Sequence, residues 1–142
     1  MKSFNKTIEG YYTNPQSLST NKGVYFVYRC THNSAAKTVD LKELLYIGEA
    51  ENIYQRVTTH NRFDDWKRKL KPGEVLCWTE CTEILDRKTL EAALIFKHKP
   101  PLNVEYVNSF PFETTSVALS GATALLQTNF VIRESVLASL YR

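Results

Sequence analysis

Two short tyrosine motifs, followed along the chain by four polar side chains, have the residue types needed for chemistry on a phosphate ester. The motifs are GVY at residues 23–25 and YIG at residues 46–48, and each lies at one end of an apolar run. The polar side chains that follow are Arg56, His60, Glu91 and Asn103. A guanidinium binds phosphate oxygens through two parallel hydrogen bonds and stabilises charge that develops in a transition state. An arginine, a carboxylate and two phenols on one small sheet would suit cleavage of a phosphodiester.

Most of these side chains also have an ordinary structural explanation. Tyr25 and Tyr46 would face each other across a pair of antiparallel strands, but strand tyrosines commonly just pack by their rings. Arg56 and His60 are four residues apart, so they project from the same side of a helix. His60 then either donates to a phosphate or transfers protons near neutral pH, or it is a partly buried helix histidine. Asn103 follows a double proline and is either a fixed hydrogen-bonding group or a turn residue.

Glu91 is the best candidate for a magnesium ligand. It lies in the apolar part of a predicted helix, where a glutamate on an exposed face would simply be solvated. Mg²⁺ prefers carboxylate oxygens and retains several of its waters. The cysteines are weaker candidates, because Cys77 and Cys81 lack the second Cys/His pair that a structural zinc site needs. We interpret them as small buried hydrophobic side chains.

Length and composition predict one globular domain in a reducing compartment. The chain has 142 residues, of which 43% are apolar and 23% are charged, and this size suits a single core. No apolar run approaches the roughly 20 residues that span a bilayer, and residues 1–20 lack an apolar signal core. The three cysteines argue against a disulfide framework. We therefore expect a cytoplasmic protein with no membrane partner.

Hydrophobic patterns predict strands and helices in the order β-β-α-β-α. The predicted strands cover residues 24–30, 43–47 and 75–81, which are rich in β-branched and aromatic side chains. The predicted helices cover residues 50–61 and 82–99, the second with Thr82 as its N-cap and a double proline after it, and a short helical piece lies at 64–70. This order predicts an α/β (α+β) fold, in which helices flank a small three-stranded antiparallel sheet.

The remaining residues are predicted to extend this core. We divide the chain into an N-terminal extension (1–22) that packs on the core, a catalytic module (23–103) and a C-terminal extension (104–142). The C-terminal extension is expected to contain an edge strand at 107–112, a short helix at 120–127 and a terminal helix at 134–141. It is too short to be an independent domain, so it either packs on the core or joins two copies.

Residues 23–103 resemble the GIY-YIG nuclease family. The first motif differs from the family's tripeptide by a conservative valine, and the second matches without change. The four polar residues also fall in the family's order, and their spacing looks most like the type II restriction endonuclease branch. Two features depart from the family: a loop of about a dozen residues between the first strands, and the absence of a recognisable DNA-reading domain.

The resemblance implies an Mg²⁺-dependent endonuclease in which water attacks a DNA phosphodiester in line and leaves 5′-phosphate and 3′-hydroxyl ends. It implies one Mg²⁺ or Mn²⁺ ion per active site, held by Glu91, rather than a two-metal clamp. Tyr25 would be the general base with help from Tyr46, although a phenol with a pKa near 10 needs nearby cations to favour its phenolate. Arg56 would hold the scissile phosphate. His60 would assist by hydrogen bonding or proton transfer, and Asn103 would orient the site.

A basic segment follows the first predicted helix. Residues 56–71 contain six cations and two carboxylates, a pattern that is usually only a solvated face. Beside a nuclease site it favours contact with the DNA backbone and salt-sensitive binding. The expected nucleic-acid-binding residues are Arg62, Lys67, Arg68, Lys69 and Lys71.

Three functions remain open from the sequence. The first is a stand-alone, restriction-like DNA endonuclease, and a homodimer would place two active sites for cutting both strands. The second is a non-catalytic nucleic-acid-binding module, although such a module has no need of Glu91. The third is a structure-specific nicking nuclease of repair or mobile-element type, which normally carries an additional binding domain.

Overall fold

The computed structural model describes residues 1–135 and 140, which form a mixed α/β fold on one six-stranded sheet. The strands are β1 (Lys2–Tyr12), β2 (Gly23–Asn33), β3 (Thr38–Ala50), β4 (Val75–Thr82), β5 (Thr115–Gly121) and β6 (Asn129–Ile132). The helices are α1 (Ile53–Thr58), α2 (Phe63–Arg68) and α3 (Arg87–His98), and a 3₁₀ turn covers Pro15–Ser17. The spatial order of the strands is β3-β2-β4-β1-β5-β6, so β3 and β6 are the edges.

The predicted strand order is present, but the prediction of three strands was wrong. β2 pairs antiparallel with both β3 and β4, as expected. Beyond them, β1 pairs antiparallel with β4 and parallel with β5, and β6 pairs antiparallel with β5. The sequence pattern of β1 is weak because only Phe4 and Ile8 among its side chains are buried. Its parallel partner is also remote, since Lys2 pairs with Thr115.

The predictions for the C-terminal extension were wrong where the structure describes it. Residues 107–112 form no strand, and β5 and β6 follow them instead. Residues 120–127 form no helix but complete β5 and connect it to β6, and Gly121 has a φ of 86° at the start of this connection. The predicted terminal helix at 134–141 includes residues 136–139 and 141, which lie outside the described part of the chain.

Helices cover both faces of the β3-β2-β4 part of the sheet. Successive side chains of a strand point to opposite faces, so β2 contributes to two separate cores. On one face, Leu90 and Leu94 of α3 pack in a cluster that includes Phe26. On the other face, Val57 of α1 and Trp66 of α2 pack in the cluster that contains Tyr25 and Val27.

Helix boundaries follow local capping. α1 is shorter than the predicted 50–61: it begins after Asn52, whose side chain accepts a hydrogen bond from a backbone amide one turn into the helix, and it ends at Thr58. His60 lies beyond this end, so the prediction that His60 and Arg56 project from one side of a helix was wrong.

The start of α3 is later than predicted: Thr82 is not an N-cap but pairs with Gly23 in β4, and Asp86 precedes the helix. Lys99 adopts a left-handed conformation with φ of 47° and ends α3 before the double proline.

The cysteines are free and buried, in agreement with their interpretation as hydrophobic side chains. Burial raises the pKa of the Cys77 thiol to about 12 and that of Cys81 to about 11, so neither is a thiolate at neutral pH. None of the described helices combines the length and the apolarity that crossing a bilayer requires.

Candidate active site

A cleft of about 660 Å³ lies beside β3, between α1 and the start of α3. Four of the six candidate side chains line it: Tyr25, Tyr46, Arg56 and Glu91. The cleft joins groups from both faces of the sheet because β3 is an edge strand. Tyr25 and Arg56 come from the side covered by α1, and Glu91 comes from α3 on the other side.

The two tyrosines lie on the same face of the sheet, as predicted, but diagonally rather than directly opposite. Tyr25 pairs with Gly48, and Tyr46 pairs with Val27. The ring centroids of Tyr25 and Tyr46 are 6.3 Å apart. The residue opposite Tyr25 is therefore a glycine, which leaves room for the phenol to turn toward the cleft.

Both motif glycines are required by close approach. A Cβ on Gly48 would overlap the ring and the hydroxyl of Tyr25, and a Cβ on Gly23 would overlap the carbonyl oxygen of Cys81. The side chain of Tyr25 is 1% exposed, so it has little space in which to move aside. The glycine of YIG thus leaves the space that the Tyr25 phenol occupies, and the glycine of GVY lets β2 approach β4 closely.

Burial makes the phenols of Tyr25 and Tyr46 weaker acids than a solvent-exposed tyrosine. The pKa of Tyr25 is raised well above its ordinary value, first by burial and then by Tyr46, while the guanidinium of Arg56 lowers it. The pKa of Tyr46 is also raised, chiefly by burial and by the charge of Glu91, with Arg56 again opposing. Arg56 therefore favours the phenolate of both tyrosines, and Arg62 also favours that of Tyr46.

Arg56 presents an exposed guanidinium to the cleft. It lies in the last turn of α1, and its charge lowers the pKa of Tyr25. It forms no ion pair with a carboxylate of the described residues. Its charge is therefore available for an anion that enters the cleft.

His60 lies behind the tyrosines rather than on the cleft wall. It is 6% exposed, and its ring centroid is 5.3 Å from that of Tyr46 and 4.6 Å from that of Trp66. Its Nδ1 accepts a hydrogen bond of 3.0 Å from the backbone amide of Arg62. Burial and the charges of Arg56 and Arg62 lower its pKa to about 4, so the imidazole is neutral at pH 7 and supports the ring of Tyr46.

Glu91 is a partly buried carboxylate in an acidic environment. Burial and then the charges of Glu49 and Glu105 raise its pKa to about 7, and Lys88 partly opposes them. Glu49, Glu105 and Lys88 all line the same cleft. The shift means that the site disfavours the free carboxylate and would gain from a bound cation.

The donor set suits a largely hydrated metal ion. Within residues 1–135 and 140, no group of three or more His, Cys, Asp or Glu side chains is placed to hold a metal. Mg²⁺ and similar hard ions bind through one or two carboxylates and keep their remaining waters. Glu91, with like-charged neighbours in an open cleft, fits that mode of binding.

The side chain of Asn103 hydrogen-bonds the outer edge of β3 instead of lining the cleft. Its side-chain oxygen accepts from the backbone N–H of Ile47 at 2.9 Å, and its side-chain nitrogen donates to the carbonyl of Ile47 at 2.9 Å. The backbone amide of Leu102 also donates to Leu45 at 3.1 Å. Asn103 thus binds the backbone between Tyr46 and Gly48 as a neighbouring strand would.

The sequence did not predict the ion pairs at the mouth of the cleft. Arg87 at the start of α3 binds Glu49 at 2.7 Å and Glu51 at 3.1 Å. These contacts tie α3 to the end of β3 and neutralise two acidic groups near Glu91. No sequence signal identifies them, because the three residues are linked only by the tertiary fold.

The predicted basic segment lies on α2 and the loop after it, but it is partly neutralised. Asp65 binds Arg62 at 3.2 Å and Arg68 at 2.6 Å. The other predicted cations, Lys67, Lys69 and Lys71, are exposed. Arg62 reaches the cleft side, with its guanidinium carbon 5.9 Å from the ring centroid of Tyr46.

Comparison with known proteins agrees with this geometry. The family model described as the GIY-YIG catalytic domain matches residues 22–104, which contain all six candidate side chains. Searches of curated proteins and of solved structures return no match. Since the matched segment covers more than half of the chain and supplies the walls of the cleft, the chain belongs to the GIY-YIG catalytic domain family.

Proposed function

We propose that this protein is a divalent-metal-dependent endonuclease that hydrolyses DNA phosphodiester bonds. The family is one of nucleases of the endonuclease type, and its members generally depend on a divalent metal ion. One observation carries the proposal: Tyr25 from β2, Arg56 from α1 and Glu91 from α3 line the same cleft. A phenol, an unpaired guanidinium and a carboxylate at one place can hold a phosphodiester, activate water and bind a cation.

Arg56 holds the scissile phosphate. Its guanidinium is exposed in the cleft and free of described acidic partners, and it supplies two parallel donors to phosphate oxygens. The same donors stabilise the negative charge that develops on the phosphate oxygens as the attacking oxygen bonds to phosphorus.

Tyr25 first releases its phenol proton to solvent and then, as phenolate, removes a proton from the attacking water, with Tyr46 beside it. In the resting protein the phenol is protonated, because burial raises its pKa. Arg56 lowers that pKa, and the negative charge of Glu91 raises it. Neutralising Glu91 therefore moves Tyr25 toward the phenolate that a general base requires.

Glu91 is the metal ligand in this proposal. A divalent ion bound there would supply a Lewis acid for the phosphate oxygens. In-line attack by water then leaves a 5′-phosphate and a 3′-hydroxyl end. Asn103 and His60 act on position, the first through the β3 backbone and the second through the ring of Tyr46.

The exposed lysines of the basic segment bind the DNA backbone beside the cleft. Lys67 and Lys69 project from the surface of α2 and its end, and Arg62 connects that surface to Tyr46. Contacts with phosphates position a protein on the duplex but do not read the base sequence. We therefore propose that these residues contribute to DNA affinity and not to sequence specificity.

Plasmid cleavage tests the proposal. Wild-type protein with Mg²⁺ or Mn²⁺ should convert supercoiled plasmid to nicked or linear forms, and EDTA should stop it. Arg56→Ala should cut only at a low residual rate, and Glu91→Ala should lose cleavage but still bind DNA. Glu9→Ala, which changes an exposed glutamate on β1, should cut normally. Cleavage by Glu91→Ala at the wild-type rate would remove the metal assignment, and wild-type protein that binds DNA without cutting it would indicate a binding module.

A further inference from the structure

The segment that precedes the family match covers the start of α1. Residues 13–22, here called the connector, join β1 to β2, and the family model matches only from residue 22. The connector contains the 3₁₀ turn and the buried side chain of Leu18, which packs in the same cluster as Tyr25 and Val57. It is therefore part of the core beneath the candidate active site.

The connector accepts the first hydrogen bonds of α1. The carbonyl of Asn21 accepts from the amide of Ile53 at 3.1 Å, and the carbonyl of Ser19 accepts from the amide of Tyr54 at 2.9 Å. The hydroxyl of Tyr54 also donates to the side chain of Gln16 at 3.0 Å. The first amides of a helix have no partner within the helix, so these contacts fix where α1 begins.

Glu80 holds the connector in place. Its side chain is 3% exposed, and its Oε1 accepts a 2.9 Å hydrogen bond from the backbone amide of Ser19. In the sheet it lies directly across from Tyr25, on the same face. A carboxylate buried in a strand is costly unless it is hydrogen-bonded, and a charge-assisted bond to a backbone amide is stronger than a neutral one.

We propose that Glu80 is a positioning residue for Arg56. Glu80 binds Ser19, Ser19 and Asn21 bind the first turn of α1, and Arg56 lies two residues after Tyr54 in that six-residue helix. A helix this short has little cooperative stability of its own, so its placement depends on the contacts at its start. The inference rests on the proposed role of Arg56 in cleavage.

Single-turnover cleavage in two backgrounds tests this chain of contacts. In the wild-type background, Glu80→Ala should lower the rate about 10- to 100-fold, since small displacements of a phosphate-binding group have effects of that size. Glu80→Gln keeps an acceptor of the same length and should recover most of the rate. Glu9→Ala, which removes the exposed carboxylate paired with Glu80 in the sheet, should have no effect. An unchanged rate in Glu80→Ala would overturn the inference.

The second background separates positioning from general support of the fold. In an Arg56→Ala protein, adding Glu80→Ala should lower the remaining rate less than about threefold, because Glu80 acts through Arg56. An equal loss in both backgrounds would show that Glu80 supports the fold in general, and the inference would fail.

Amide hydrogen exchange gives a measurement that does not depend on cleavage. Glu80→Ala should expose the amides of Ile53 and Tyr54 to faster exchange while β2 and β4 stay protected, and Glu80→Gln should restore slow exchange. If those two amides exchange as in wild type, Glu80 does not hold α1. If they are exposed while wild-type protein fails to cut DNA, the contacts are correct and the proposed function is the part that is wrong.

Discussion

Replacing Glu91 with glutamine should make the protein more stable while removing cleavage. In the folded protein, burial and the charges of Glu49 and Glu105 raise the pKa of Glu91 from its ordinary 4.5 to about 7. The folded state therefore disfavours the ionised carboxylate more than the unfolded chain does. Glutamine has nearly the same shape and no charge, so it avoids this cost.

The size and the pH dependence of this gain in stability follow from the pKa of Glu91 in the unfolded and folded states. A difference between 4.5 and about 7 corresponds to about 3 kcal/mol of unfolding free energy. Above pH 7 the carboxylate is ionised in both states and the full cost is present. As pH falls from 7 to 4.5 the folded state takes up its proton first, so the cost declines, and below 4.5 it is absent. At pH 8 the gain corresponds to a rise in Tm of about 6–12 °C.

Thermal unfolding in EDTA at pH 4, 6 and 8 measures this effect. The Tm advantage of Glu91→Gln over wild type should be largest at pH 8 and should vanish at pH 4. Glu9→Gln, an exposed glutamate, should show no such trend. Added Mg²⁺ should raise the Tm of wild type and leave that of Glu91→Gln unchanged. If Glu91→Gln is less stable than wild type at every pH, the ionised Glu91 carboxylate does not destabilise the folded state and the interpretation is refuted.

Three further substitutions test the positions of the other groups. Gly48→Ala should lower cleavage more than 100-fold, since its Cβ overlaps Tyr25; a rate within threefold of wild type would show that the phenol's place is not critical. Lys67→Gln with Lys69→Gln should weaken DNA binding and reduce the slope of log K against log salt by about 2, leaving the rate at saturating DNA unchanged; an unchanged slope would remove these lysines from the interface. Asn103→Ala should lower the free energy of unfolding by about 1–3 kcal/mol, as it leaves backbone groups of β3 unpaired, and should lower kcat more than it changes KM; an effect on KM alone would place it in contact with DNA.

The sequence predicts the part of the fold that is built from local patterns. The apolar runs at β2 and β4 are buried on both faces of the sheet, and the helical spacing in α1 buries one side of that helix, so their types could be predicted. β1 could not, because it buries only Phe4 and Ile8 and pairs with β5. The start of α3 was misplaced because Thr82 is a good N-cap residue in type but its backbone is already paired in β4.

In the candidate site too, local sequence patterns could be predicted and tertiary contacts could not. Residue types and spacing indicated Tyr25, Arg56 and Glu91, and the structure places all three on one cleft. The sequence left open whether His60 is buried and whether Asn103 is a fixed hydrogen-bonding group, because both depend on how α2 and the chain after α3 pack against β3. The family resemblance depended on the order of the polar residues along the chain, which the sequence shows directly. The contacts of His60 and Asn103 form only in the tertiary structure.

The most direct test of the central claim is the cleavage rate of Tyr25→Phe on a labelled duplex in Mg²⁺ at pH 8. Phenylalanine keeps the buried ring and removes only the hydroxyl that faces Arg56 in the cleft. A site in which this phenol activates water predicts a rate at least 100-fold below that of wild type, unchanged DNA affinity, and wild-type products with 5′-phosphate and 3′-hydroxyl ends. Cleavage by Tyr25→Phe at the wild-type rate would contradict the account.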